Sequence, residues 1–160
     1  MKLNEITNAG PDVMKWFRSH AEVMRSNTAP LTISDYILEL ERGSPQADQV
    51  ALTLYGDADE EFHLPVEIKF AEELEITGFK ITDVSKIPTS LRATIKQSTI
   101  TGSLDDYAHR AGRLLFQNCR GVSSDEIVQF MAAYNGSYFS FEIRSDDSTW
   151  DDFGYWMVKD

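Results

Sequence analysis

Two serines, Ser103 and Ser123, constrain this chain more than any other feature. Each precedes an apolar pattern at helical spacing, and each has an acid three residues on, Asp106 and Glu126. That is a capping-box layout: the hydroxyl takes an orphan backbone N–H and the acid reaches back. Arg120-Gly121 and Asn135-Gly136 close the two segments with residues that tolerate a left-handed terminus. Leu104, Ala108, Ala111 and Leu115 line the first segment, and Ile127, Met131 and Tyr134 the second. A helix pair over 103–136 is therefore expected, with sheet-like sequence on both sides.

Upstream, Pro11 suits a first helical turn, and Val13, Trp16, Phe17, Ala21 and Met24 recur at helical steps. The spacing predicts an amphipathic helix over 11–26, with residues 1–10 as a lead-in. Period-two alternation predicts strands at 36–40 and 50–54, paired as a hairpin around Gly43-Ser44-Pro45. Acids then crowd a tip at Asp57-Ala58-Asp59-Glu60-Glu61. The cleanest alternation is Leu64, Val66, Ile68 and Phe70, with Pro65 marking an edge or a strand start. Residues 74–82 are β-rich and broken at Gly78, and 91–95 and 139–143 alternate as well.

Ile76 and Ile81 recur as Ile95 and Ile100, 19 residues on, but two copies fall short of a repeat array, and the recurrence reads as coincidental strand similarity. The order of elements predicts one α+β domain over 1–160. It has a largely antiparallel sheet of about five to seven strands, an N-terminal helix, and a capped helix pair before the last strands.

Charge bears on function more than composition does. The net charge is −11, which disfavours direct binding to nucleic acid or an anionic membrane. Residues 31–75 hold two Lys/Arg against twelve Asp/Glu, and 76–122 hold seven against three. Residues 123–160 return to two against eight. Acidic and basic blocks therefore alternate, and they either neutralise one another in the fold or form an acidic face beside a basic one. The candidate acidic surface comprises Asp57, Asp59, Glu60, Glu61, Glu72, Glu73, Asp146, Asp147, Asp151 and Asp152. Such a surface would steer the chain to a basic protein partner.

Catalytic and metal signatures are absent from the sequence: no Walker loop, GxGxxG, GxSxG, HExxH or CxxC occurs. The acidic loops lack the Gly and Glu positions of an EF-hand. No cofactor or metal is expected. Asp105 and His109, four apart on the expected helix, are the best candidates for a hidden enzymatic site. Asp106–Arg110 forms a parallel pair, so helix-terminal ion pairing is the plainer reading. An anion at Thr101-Gly102-Ser103, helped by Arg92, Lys96, Arg110 and Arg113, is a further option opposed by Asp105 and Asp106.

Cys119 stands alone, so no internal disulfide forms and a reducing compartment is expected. The opening MKLNEITNAG is too polar for a secretory core, and no apolar run is long enough to span a bilayer. These observations together predict a cytoplasmic protein. Leu3-Asn4-Glu5 resembles the Leu-x-Glu sites at which phage prohead proteases cut virion proteins, as Ile37-Leu38-Glu39 does equally. The expected function is a non-catalytic, acidic protein-binding module, of inhibitor, immunity or nucleic-acid-mimic type. The alternatives are an enzyme around Asp105 and His109, or a viral (phage) or other structural subunit.

Overall fold

The computed structural model describes residues 10–107, 110–134, 138–144, 150–151 and 157–158. Among these residues, helices α1 (Pro11–His20), α2 (Ile33–Arg42) and α3 (Ser124–Ala133) accompany nine strands. These are β1 (Ala21–Arg25), β2 (Val50–Glu61), β3 (Phe70–Ile81), β4 (Thr89–Lys96), β5 (Thr99–Ile100), β6 (Ala111–Arg120), β7 (Tyr138–Arg144), β8 (Trp150–Asp151) and β9 (Met157–Val158).

All nine join one sheet, and its centre is parallel: β2, β3, β4, β6 and β7 are neighbours in that order. Antiparallel strands lie only at the ends, with β1 on β2 and with β8 and β9 on β7. The expectation of a largely antiparallel sheet is thus overturned. The chain instead coils in successive turns, a β-solenoid-like arrangement. In-register partners Ala51, Glu73, Arg92, Arg113 and Tyr138 follow one another at steps of 22, 19, 21 and 25 residues.

The spacing of the core explains the coil. Ala71, Leu74, Ile76, Phe79 and Ile81 are buried in one turn. Ser90, Ala93, Ile95, Ser98 and Ile100 are buried in the next, and Ala111, Leu114, Phe116 and Cys119 in the one after. Buried positions thus fall at 1, 4, 6, 9 and 11 in the first two of these turns and at 1, 4, 6 and 9 in the third. Ser98 and Cys119 occupy the ninth position of the second and third turns, where the first has Phe79. The hydroxyl of Ser98 accepts from Phe79 N at 3.2 Å and donates to Lys96 O at 2.8 Å. The thiol of Cys119 donates to Ile95 O at 3.3 Å. Polar groups inside the coil therefore serve backbone that the bends leave unpaired. The recurrence of Ile76 and Ile81 as Ile95 and Ile100 is a true repeat, because each pair stacks in register.

Several local expectations change with the topology. The segment expected as the first helix of the pair is a single 3-10 turn at Asp105–Tyr107 followed by β6. The second helix stands as α3, with Ser123 Oγ accepting from Glu126 N at 3.2 Å. The predicted strand at 36–40 is α2, which buries Tyr36 and Ile37. Thr32 caps it and Gly43 ends it in the left-handed region, so no hairpin joins it to β2. The helix predicted over 11–26 stops at His20, and the rest is drawn into β1 by pairing with β2. Residues 64–69 join no strand and bend at Pro65 and Val66, so the cleanest alternation forms no strand before Phe70. The predicted strand over 139–143 is β7. No helix among the described residues is long and apolar enough to cross a membrane.

Candidate functional site: the open face of the parallel sheet

Each strand of the coil turns one side to the core and the other to solvent. Leu52, Leu74, Ala93 and Leu114 form one inward row, and Leu54, Ile76, Ile95 and Phe116 the next. The outward rows alternate with them. One runs Met24, Ala51, Glu73, Arg92, Arg113, and the second runs Glu22, Thr53, Glu75, Thr94, Leu115. A third runs Tyr55, Thr77, Lys96, Gln117. Side chains within a row are about 4.8 Å apart, fixed by the backbone ladder rather than by their own contacts.

Charge is segregated across this face. The acids Glu22, Glu73 and Glu75 belong to β1 and β3, and the cations Arg92, Lys96 and Arg113 to β4 and β6. Two ion pairs bridge the boundary: Arg92 meets Glu73, and Lys96 Nζ meets Glu75 at 2.8 Å. All four of these side chains remain between 36% and 56% exposed, so solvent screens the pairs. Pairs of this kind contribute at most about 1 kcal/mol and chiefly orient the groups. Beside the boundary lies a shallow depression of about 320 Å³, lined by Thr53, Glu73, Glu75, Arg92 and Thr94 among others. Tyr55 closes the acidic side and donates to Glu22 at 3.4 Å. Partial desolvation, with Glu22 beside it, raises the Tyr55 phenol above its ordinary value.

The acids singled out from sequence do not all share this face. Glu73 lies on it, paired with Arg92. Asp57, Asp59, Glu60 and Glu61 form the last part of β2 rather than a loop tip. There Glu60 meets His20 Nε2 at 2.8 Å and accepts from Asp57 N at 3.3 Å. Glu61 accepts from Thr82 Oγ1 at 3.0 Å. Glu72 is half-buried next to Glu73. Asp151 belongs to β8, opposite Ile143. Asp146, Asp147 and Asp152 lie outside the described residues.

A 3-10 turn covers 105–107, and the expected pairing of Asp105 with His109 extends beyond the described residues. Asp105 is exposed and His109 lies outside the described residues. No helix N-terminus follows Thr101-Gly102-Ser103, which removes the basis for an anion there. Among the described residues no group of three or more His, Cys, Asp and Glu could hold a metal ion.

Sequence reasoning missed Glu22, Glu75 and the cations as members of one surface. The 19-residue recurrence was the available signal, because it superposes Glu73 on Arg92 and Thr77 on Lys96. No family model, curated protein or solved structure matches this chain.

Proposed function

We propose that this protein is a non-catalytic binding module that recognises a protein partner with the open face of its parallel sheet. The observation that carries this reading is the charge division: acids on β1 and β3, cations on β4 and β6, all held in register. A rigid array presents many groups with little ordering cost on association. Its acidic side suits a basic protein surface, and the chain's net charge of −11 would speed that encounter. The cations on the other side would fix the orientation of the partner and reject surfaces that are uniformly basic. The inhibitor or immunity role is one form of this reading, in which the basic partner is a nucleic-acid-handling enzyme.

The test is affinity capture from the source cell over a salt series, comparing three forms of the chain. The wild type is expected to retain a partner that salt elutes. Glu22→Lys combined with Glu75→Lys should lose it, while Asp12→Lys on the exposed side of α1 should keep it. All three should melt within a few degrees of one another. Retention by the double variant, or loss by the α1 control as well, would remove the sheet face from the account.

A further inference from the structure

A cleft of about 580 Å³ lies away from the charged rows, where the strands of the coil begin. Three successive turns build it. Lys69 directly precedes β3, Lys86 lies in the 3-10 turn at Val84–Lys86 before β4, and Arg110 directly precedes β6. The backbone locks these segments together: Thr89 N donates to Lys69 O at 3.0 Å and Ser90 N to Arg110 O at 2.9 Å. Lys69 and Arg110 are thereby placed on either side of the start of β4. The Arg110 guanidinium is fixed, with Nε and Nη2 both donating to Ile87 O at 3.2 and 2.7 Å.

Three cations therefore converge on one cleft in a chain whose net charge is −11. Lining hydroxyls come from Ser85 and Thr89, and Ser85 Oγ is turned to Asp83 at 2.5 Å. Apolar lining comes from Leu64, Val66 and Ile68, in the stretch before β3 that joins no strand. Opposing carboxylates are few: Glu67 lines the cleft, and Asp83 sits near Lys86 and Arg110. The Ser85 hydrogen bonds, with those two cations, hold Asp83 below the usual carboxylate range. His63 also lines the cleft.

We propose that this cleft binds a small organic anion, a carboxylate or phosphate ester carrying an apolar group. The head would lie among Lys69, Lys86 and Arg110 and the body against Leu64 and Val66. The volume falls within the range of small-molecule sites, and a lining that combines cations with apolar side chains suits a ligand with one charged end. Binding here is independent of the sheet-face reading, since no residue of the charged rows lines this cleft. It gives the run at 64–69 a role that strand pairing does not.

The test uses the full chain labelled with ¹⁵N, titrated separately with phenyl phosphate, benzoate and benzyl alcohol. Saturable shifts at 63–69, 85–89 and 110 are expected with one or both anions and not with the alcohol, and added salt should weaken them. Whichever anion binds more tightly identifies the head group. The double variant Lys69→Gln, Lys86→Gln changes two exposed side chains and should fold unchanged. It should weaken binding by about tenfold or more, the loss of two charge-assisted contacts. Absence of saturable shifts with both anions, equal shifts with benzyl alcohol, or unaltered affinity in the double variant would each overturn the proposal.

Discussion

Ser90 and Ser98 are buried to the same degree, 3% and 2% exposed, yet they face opposite energetic situations. Ser98 Oγ serves both Phe79 N and Lys96 O. Ser90 Oγ is buried with no hydrogen-bond partner. Deleting a hydroxyl that satisfies two buried groups costs about 1–3 kcal/mol, while deleting one without a partner removes only a desolvation penalty. Ser98→Ala should therefore lower the melting temperature by several degrees, at about 2–4 °C per kcal/mol for a chain of this size. Ser90→Ala should leave the temperature unchanged or raise it. Thermal denaturation of the two variants under identical conditions checks this, and equal losses would contradict the assigned bonding. The same contrast marks what single residues reveal in sequence. A buried serine in a β-rich run gives no sign of whether it has a partner. That depends on the turn stacked beside it, 19 residues away for Phe79 and Ser98.

At the scale of elements, the coil depends on places where one turn's backbone touches the next. Gly121 has φ of +91°, and a Cβ there would overlap the carbonyl of Ile100 in the neighbouring turn. Gly78 has φ of +82° and approaches the carbonyl of Gly56 in the same way. Gly121→Ala should cost more than about 2 kcal/mol, because left-handed strain and a backbone overlap add. A chemical denaturation midpoint equal to the wild type would show that the bend relaxes freely. This glycine also explains a failed expectation. Arg120-Gly121 fits a helix end, and Ala108, Ala111 and Leu115 fit a helix face, so the sequence supports a helix where β6 forms. Core positions advance by steps of 2 and 3 residues, between the strand period of 2 and the helix period of 3.6. Both templates therefore match in part, and neither recovers the coil. α2 shows the converse: Tyr36, Leu38 and Leu40 alternate, but Ile33, Tyr36, Ile37 and Leu40 form an equally good helical face. There Thr32 and Gly43 were the informative residues, as Ser123 was for α3.

For the whole molecule, the governing problem of a parallel coil is its ends. Each turn buries its faces against neighbours, so the first and last turns would present open strand edges. Strand order was not legible in the sequence because it follows from the 19-to-25-residue steps, of which only the Ile76/Ile95 and Ile81/Ile100 recurrence was visible. The candidate surface was legible only as alternating charge blocks. Their junction near residue 76 corresponds to the β3/β4 boundary where Glu73 meets Arg92 and Glu75 meets Lys96. The structure places antiparallel strands at both ends, β1 on β2 and β8 with β9 on β7. The start of the coil is covered further by α1, whose Phe17 and Met14 are buried. The outer edge of β1 is itself partly occupied, as Arg25 N donates to Ala29 O at 3.0 Å and Met24 bridges Pro30. Removing residues 1–26 takes away α1, β1 and the Arg25–Glu39 ion pair together. It leaves Glu39 half-buried without its cation and the β2 edge open from Val50 to Leu54. An uncovered edge of that length pairs with other chains, so the shortened protein should self-associate in proportion to concentration. Light scattering coupled to size exclusion reads this directly. A truncated chain that stayed monomeric, with the far-UV spectrum of the remaining sheet intact, would show that β1 does not serve as the cap of the coil.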